Sequence, residues 1–146
     1  MNTAKHLKES SSLQLRKKQF PFWNKNLIPP LLLGTLLGTY LDLFFIGKGL
    51  YSFPKRLMPE IFSINILFTL IGLPLFIIFF LFVCKKIHGV KMTGFIFILS
   101  LLMTVAEKFA ETLGFFVHND SWKHIYSLGG YALYLTIIYS FYRWSA

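Results

Sequence analysis

Hydrophobic and polar positions along this chain fall into long apolar runs separated by short polar breaks. Four runs stand out, at about 27–46, 61–84, 92–117 and 125–142. A helix needs about 20 mainly apolar residues to cross a hydrocarbon layer ~30 Å thick. A soluble chain of this size would instead alternate polar and apolar residues to make a wetted surface. The pattern therefore predicts an all-α integral membrane bundle of four transmembrane helices over residues 27–146, preceded by a polar tail at 1–26.

The polar residues inside these runs are not scattered. In the first, Pro29 and Pro30 suit the opening helical turn, where a missing N–H costs nothing. Gly34, Gly38 and Asp42 then follow at intervals of four, so a small-residue face for close helix packing carries an acid. In the second run Asn65, Thr69 and Gly72 share a face, and Pro74 predicts a kink near the middle. In the third, Ser100, Thr104, Glu107, Glu111, Gly114 and His118 recur at spacings of 4, 3, 4, 3 and 4, a polar stripe down one helical face. Lys108 either pairs with Glu111 at i+3 or snorkels outward. In the fourth, Gly129 and Gly130 predict close packing, and Ser127 joins Tyr131 at i+4.

Charge orients the bundle. The 146 residues carry a formal charge of +9, which in a soluble protein would point to nucleic acid. Here the basic residues cluster at the ends of apolar runs, as topology signals do, and no nucleic-acid motif is present. With the N-terminus inside, ten Lys and Arg fall on the inner side, six of them in the tail, against four on the outer. The expectation is that both termini are cytoplasmic. Phe20, Phe22, Trp23 and Trp144 would mark the inner interface and Trp122 the outer. No small-residue cleavage site follows the first run, so a secretory signal is not expected. The single cysteine, Cys84, cannot form an internal disulfide and reads as a buried or interfacial thiol.

This topology brings polar groups from four helices to one depth, in the outer half of the membrane. At 1.5 Å per residue, Asp42 lies roughly 22 Å from the start of its span, and Asn65 is about 6 Å inside the next. Glu107, Glu111 and Tyr131 come to a similar level. Ionisable groups this deep are costly and face the protein interior or water. Asp42, Asn65, Glu107, Glu111 and Tyr131 are thus the candidate intramembrane cluster. Three uses are open to it: hydrogen bonding that holds the bundle together, a path or site for a proton or cation, or an outward-facing catalytic pocket. No nucleophile motif accompanies the acids. His118, Asp120 and His124 do not match a zinc spacing, so the loop carrying them reads as an interfacial polar loop, with no metal ligands assigned and no cofactor.

Glu107, Leu113–Gly114, the aromatics Phe115 and Phe116, and Trp122 make a pattern that resembles a family of small multi-spanning membrane proteins of spore-forming Gram-positive bacteria. Asp42 near the end of the first span, Tyr51 and Phe53 beyond it, and a proline in the second span are similar too. That family is uncharacterised in activity, so the resemblance implies a class and a bacterial plasma membrane but no mechanism. The chain departs from the pattern at Asp120–Ser121, where Asn-Gly would be expected, and Glu111 and Lys108 look particular to it.

Taken together, the expectation is a multi-pass cell-membrane protein, not an enzyme, acting as a structural or accessory component. The alternative is a small oligomeric transporter or channel for protons or cations built on the acidic cluster. The partners expected are the lipid bilayer and either a second copy or another membrane protein, with no nucleic acid.

Overall fold

A computed structural model describes residues 25–145. The expected basic tail, its membrane-flanking aromatics included, lies outside the described residues apart from Lys25 and Asn26. The described chain is mostly helical. After a short turn at Lys25–Leu27 it runs through α1 (Ile28–Gly47), β1 (Tyr51–Ser52), α2 (Leu73–Cys84), α3 (Val90–Thr112), β2 (Val117–His118) and α4 (His124–Ser145).

α1 and α3 are each long and apolar enough to cross a membrane, whereas Phe68–Cys84 is apolar but shorter. Neither long helix is the wrapped core of a soluble domain. Of the 20 residues of α1 only Pro30 and Gly34 are buried. Leu32, Leu36, Phe97, Leu102 and Val105 are among the large apolar side chains that point outward. So much exposed hydrocarbon is unusual for a protein surrounded by water.

α4 is the hub. α3 and α1 pack against it, and α2 packs chiefly on α1. The contacts are closest where α1 has no side chain. A Cβ built at Gly34 would lie 2.8 Å from Ile77 Cδ1 and 2.9 Å from Ile138 Cδ1. One at Gly38 would lie 2.6 Å from Leu73 Cδ2. The small-residue face expected on α1 is therefore the packing face. The close packing expected at Gly129 and Gly130 does not occur, since nothing lies within 4 Å of a Cβ at either. Both are exposed, Gly129 on the outside of α4 and Gly130 on the wall of a cavity.

The bundle has a solid end and a hollow end. Ile77, Phe80, Leu81, Met92, Leu135 and Ile138, nearly or wholly buried, fill the space between the end of α2, the start of α3 and the second half of α4. The other end is closed by loops. There β1 and β2 pair antiparallel, Tyr51 opposite His118 and Ser52 opposite Val117, and Asn119 N–H donates to the Leu50 carbonyl at 2.8 Å.

Two expected boundaries shift, for local reasons. The third span was expected to reach 117, but α3 ends at Thr112. Gly114, at φ +73°, supplies a left-handed residue. Its N–H reaches the Glu111 carbonyl, and that of Phe115 reaches Ala110, both at 2.9 Å, a Schellman cap. Gly114 and His118 are thus off the helix, and the stripe on α3 stops at Glu111. The second span was expected from 61 with a kink at Pro74. Instead residues 61–65 are irregular, the helix begins at 66, and Phe68–Gly72 is a π-helical stretch ahead of α2. Pro74 has no N–H to give to the preceding turn, and the Leu73 N–H reaches five residues back to Phe68. The irregularity thus precedes the proline.

The first loop is ordered by one side chain. The Arg56 guanidinium donates to the carbonyls of Phe53, Pro59 and Phe62. Lys55 Nζ reaches the Leu113 carbonyl at 2.9 Å, where the end of α3 presents unpaired acceptors.

Candidate functional site

The hollow end holds a cavity of about 540 Å³, open on one side, between all four helices and the paired loops. Its wall is mostly aromatic and aliphatic: Leu41 and Phe45 from α1, Phe68 from the π-helical stretch, Phe116, Trp122 and Tyr134. Asp42, Asn65, Glu107 and Tyr131 also line it, so four of the five candidate residues converge on one cavity. Glu111 does not. It lies one turn beyond Glu107, toward the end of α3.

Glu107 is the best-held group in the cavity wall. Its side chain is only 8% exposed. Ser127 Oγ donates to Oε1 at 2.6 Å and Tyr131 Oη to Oε2 at 2.8 Å. His124 Nδ1 lies 3.3 Å from Oε1. All three partners come from the first two turns of α4, at positions spaced three and four apart, which is one helical face. Ser127 in turn accepts from Trp122 Nε1 at 3.1 Å. These donors replace the water that a carboxylate loses on burial.

Asp42 has a separate partner. Tyr51 Oη, on β1, donates to its Oδ1 at 2.7 Å. Burial first, then the adjacent Asp42 charge, pushes the Tyr51 hydroxyl well above the ordinary tyrosine range, so it stays a donor. The Tyr51 ring packs against Phe53, Phe116 and Trp122 with centroids 5.7, 5.1 and 5.7 Å away. At the floor of the cavity the buried Tyr134 donates to the Gly34 carbonyl at 2.8 Å, tying α4 to α1. No buried side-chain nitrogen or oxygen among the described residues lacks a hydrogen-bond partner.

The rest of the polar stripe is local. Ser100 and Thr104 donate to carbonyls one turn back on their own helix, at 2.7 and 2.9 Å. Asn65 accepts from the Phe68 N–H at 3.3 Å and so opens the π-helical stretch. Lys108 is exposed, and Glu111 is engaged by histidines instead: His118 Nε2 is 3.0 Å from its Oε1 and His124 Nε2 3.4 Å from its Oε2. Asp120 is exposed and stands apart from this group.

The roles of Tyr51 and His124 were not evident from spacing. Tyr51 lies outside every apolar run, and only the β1–β2 pairing carries it over Asp42. Ser127 with Tyr131 was visible as an i, i+4 pair, although its target was not. No protein-family model, no curated protein and no solved structure matches this chain.

Proposed function

We propose that this protein is a non-catalytic, multi-pass component of a cell membrane that holds the apolar part of a membrane molecule at the hollow end of its bundle. In this reading α1, Phe68–Cys84, α3 and α4 all cross the bilayer, both termini are cytoplasmic, and the paired loops face outward. The excess of Lys and Arg on the inner side and the outward-facing hydrocarbon of the helices support it. The resemblance to small membrane proteins of Gram-positive spore-formers supports a bacterial plasma membrane.

One observation carries the functional part: Glu107 lines a mostly apolar cavity while Ser127 and Tyr131 each donate to it. A carboxylate so restrained is a fixed point in the wall. Small-molecule sites are built this way, from apolar surface with a few placed polar groups. A group committed to several donors is poorly suited to repeated exchange of a proton or ion.

A second reading has its own support. Asp42 and Glu107 both reach the cavity wall, as a site for a proton or cation would require. One four-helix chain is thin for a transport path, so this reading implies an oligomer. Reconstitution in liposomes separates the two. If the acids only build the bundle, Glu107→Gln and Asp42→Asn lower the unfolding temperature, and neither they nor the unmodified protein carries protons or cations. A flux abolished by Glu107→Gln in protein that remains folded and abundant would replace the binding reading with transport.

A further inference from the structure

The loops bring two imidazoles onto one carboxylate. Glu111 is at the end of α3, His118 on β2 and His124 at the start of α4, three elements joined only by the turns at this end of the bundle. Taking one donor atom from each residue, all three atoms lie within 4.8 Å of one another. Each side chain is between a fifth and a third exposed, so the group is reachable from solvent.

Proton placement is the telling feature. His118 Nδ1 lies 3.1 Å from the Asn119 carbonyl oxygen, which can only accept. A neutral ring that donates there turns a bare Nε2 lone pair toward Glu111 Oε1, 3.0 Å away. His124 repeats the arrangement. Its Nδ1 faces the Glu107 carboxylate and its Nε2 faces Glu111 Oε2 at 3.4 Å. Two neutral rings own two N–H groups, yet four ring nitrogens face acceptors. A divalent cation among the two Nε2 atoms and Glu111 removes that conflict. It also leaves each Nδ1–H bound to an oxygen, the usual support for a metal-bound histidine.

We propose that Glu111, His118 and His124 form a binding site for a divalent transition metal, with Glu107 and the Asn119 carbonyl orienting the two imidazoles. Two imidazoles and a carboxylate suit zinc and its neighbours rather than calcium or magnesium. Zinc–nitrogen and zinc–oxygen bonds of ~2.0–2.2 Å place tetrahedral ligand atoms roughly 3.3 Å apart. Here the two imidazole nitrogens lie 3.0 and 3.4 Å from different oxygens of Glu111, and one donor atom from each residue lies within 4.8 Å of the others, so a small inward shift of the side chains closes the site. The ion would tie β2 to α3 and α4, fixing the loop that carries Phe116 over the cavity. The site does not depend on what fills the cavity.

The test uses the full chain without a histidine tag, purified in detergent, stripped with a chelator and titrated with Zn²⁺ and Co²⁺. One Zn²⁺ per chain is expected. Bound Co²⁺ should give the intense visible absorption of a low-coordinate site. His118→Ala and Glu111→Ala should each weaken Zn²⁺ at least about tenfold, and Glu107→Gln by a similar or smaller factor. His88→Ala, in the loop between α2 and α3, should change nothing. X-ray absorption of the unmodified protein gives a readout that needs no variant, with imidazole scattering and nitrogen or oxygen neighbours at about 2.0–2.1 Å. The competing arrangement is two imidazolium rings paired with the carboxylates and no metal. Zn²⁺ binding no tighter in the unmodified protein than in folded His118→Ala, or a bound ion without imidazole neighbours, overturns the proposal.

Discussion

Glu107 on α3 and Ser127 on α4 are joined by a hydrogen bond of 2.6 Å, and Trp122 donates to the same serine from the loop before α4. One hydroxyl thus links the cavity wall to the aromatic cover. Ser127→Ala removes a donor from a carboxylate and strands the indole N–H. Tyr131→Phe removes only a donor. Each should cost about 1–2 kcal/mol, within the range for hydrogen bonds to charged groups and for interhelical bonds in membranes. Thermal unfolding in detergent reads both, and the double variant should depart from additivity because the two bonds share Glu107. Unchanged unfolding in both single variants would mean that the network contributes nothing to the bundle.

Packing at the solid end makes a sharper demand. A side chain at Gly34 meets Ile77 and Ile138 below normal contact distance, whereas one at Gly129 meets nothing. Gly34→Val should therefore destabilise by about 1–3 kcal/mol through overpacking. Gly129→Ala should be neutral or slightly stabilising, since alanine is the better helix former. Comparable losses at both glycines would contradict the assignment of α1 as the closely packed face.

Alkaline pH tests the Asp42–Tyr51 bond. The folded protein holds the Tyr51 proton more tightly than the unfolded chain does, because burial and the Asp42 charge oppose phenolate. A raised value in the folded state adds stability that is fully present below the unfolded value, about 10 for tyrosine, and is lost as pH rises beyond it. The unmodified protein should exceed Tyr51→Phe by about 1 kcal/mol at neutral pH, with the gap closing above about pH 10. Unfolding temperatures of the two proteins across this range give the comparison. A gap that stays constant into the alkaline limb would show that the hydroxyl is not buried against a carboxylate.

Topology can be read directly. Cys84 is the sole cysteine and is buried, so a Cys84→Ser background is clean for labelling. A cysteine introduced at exposed Glu60 should react with a membrane-impermeant maleimide on intact cells. Reaction only after the cells are opened would invert the orientation.

Much of this arrangement was legible in the chain itself. The apolar runs located the four helices because apolar character is a property of long stretches and tolerates local error. Equal depth grouped Asp42, Glu107 and Tyr131 because a helix converts residue count into distance, whereas Asn65 reaches the same cavity from the irregular segment ahead of the second helix. Partner choice was not legible. Periodicity kept His118 on the α3 stripe, yet the cap at Gly114 turned the chain back. His118 then reached Glu111 through a strand pairing that has no signal in a two-residue stretch. Lys108 was an open candidate for Glu111, but it is one residue past Glu107 and turns away from α4 to the exposed side of α3. Pro74 marked an irregularity correctly, and the π-helical stretch placed it a turn early.

Native mass spectrometry of the full chain, released from the membrane in mild detergent, asks whether the cavity holds a molecule. Gly130 lines the cavity and a Cβ there meets nothing within 4 Å, so Gly130→Leu adds apolar bulk to the cavity wall from a position with room for a side chain. The unmodified protein should carry an additional apolar molecule that Gly130→Leu lacks, at equal helical content. Bare protein in both samples, or the same bound mass in both, would contradict a cavity built to hold the apolar part of a membrane molecule.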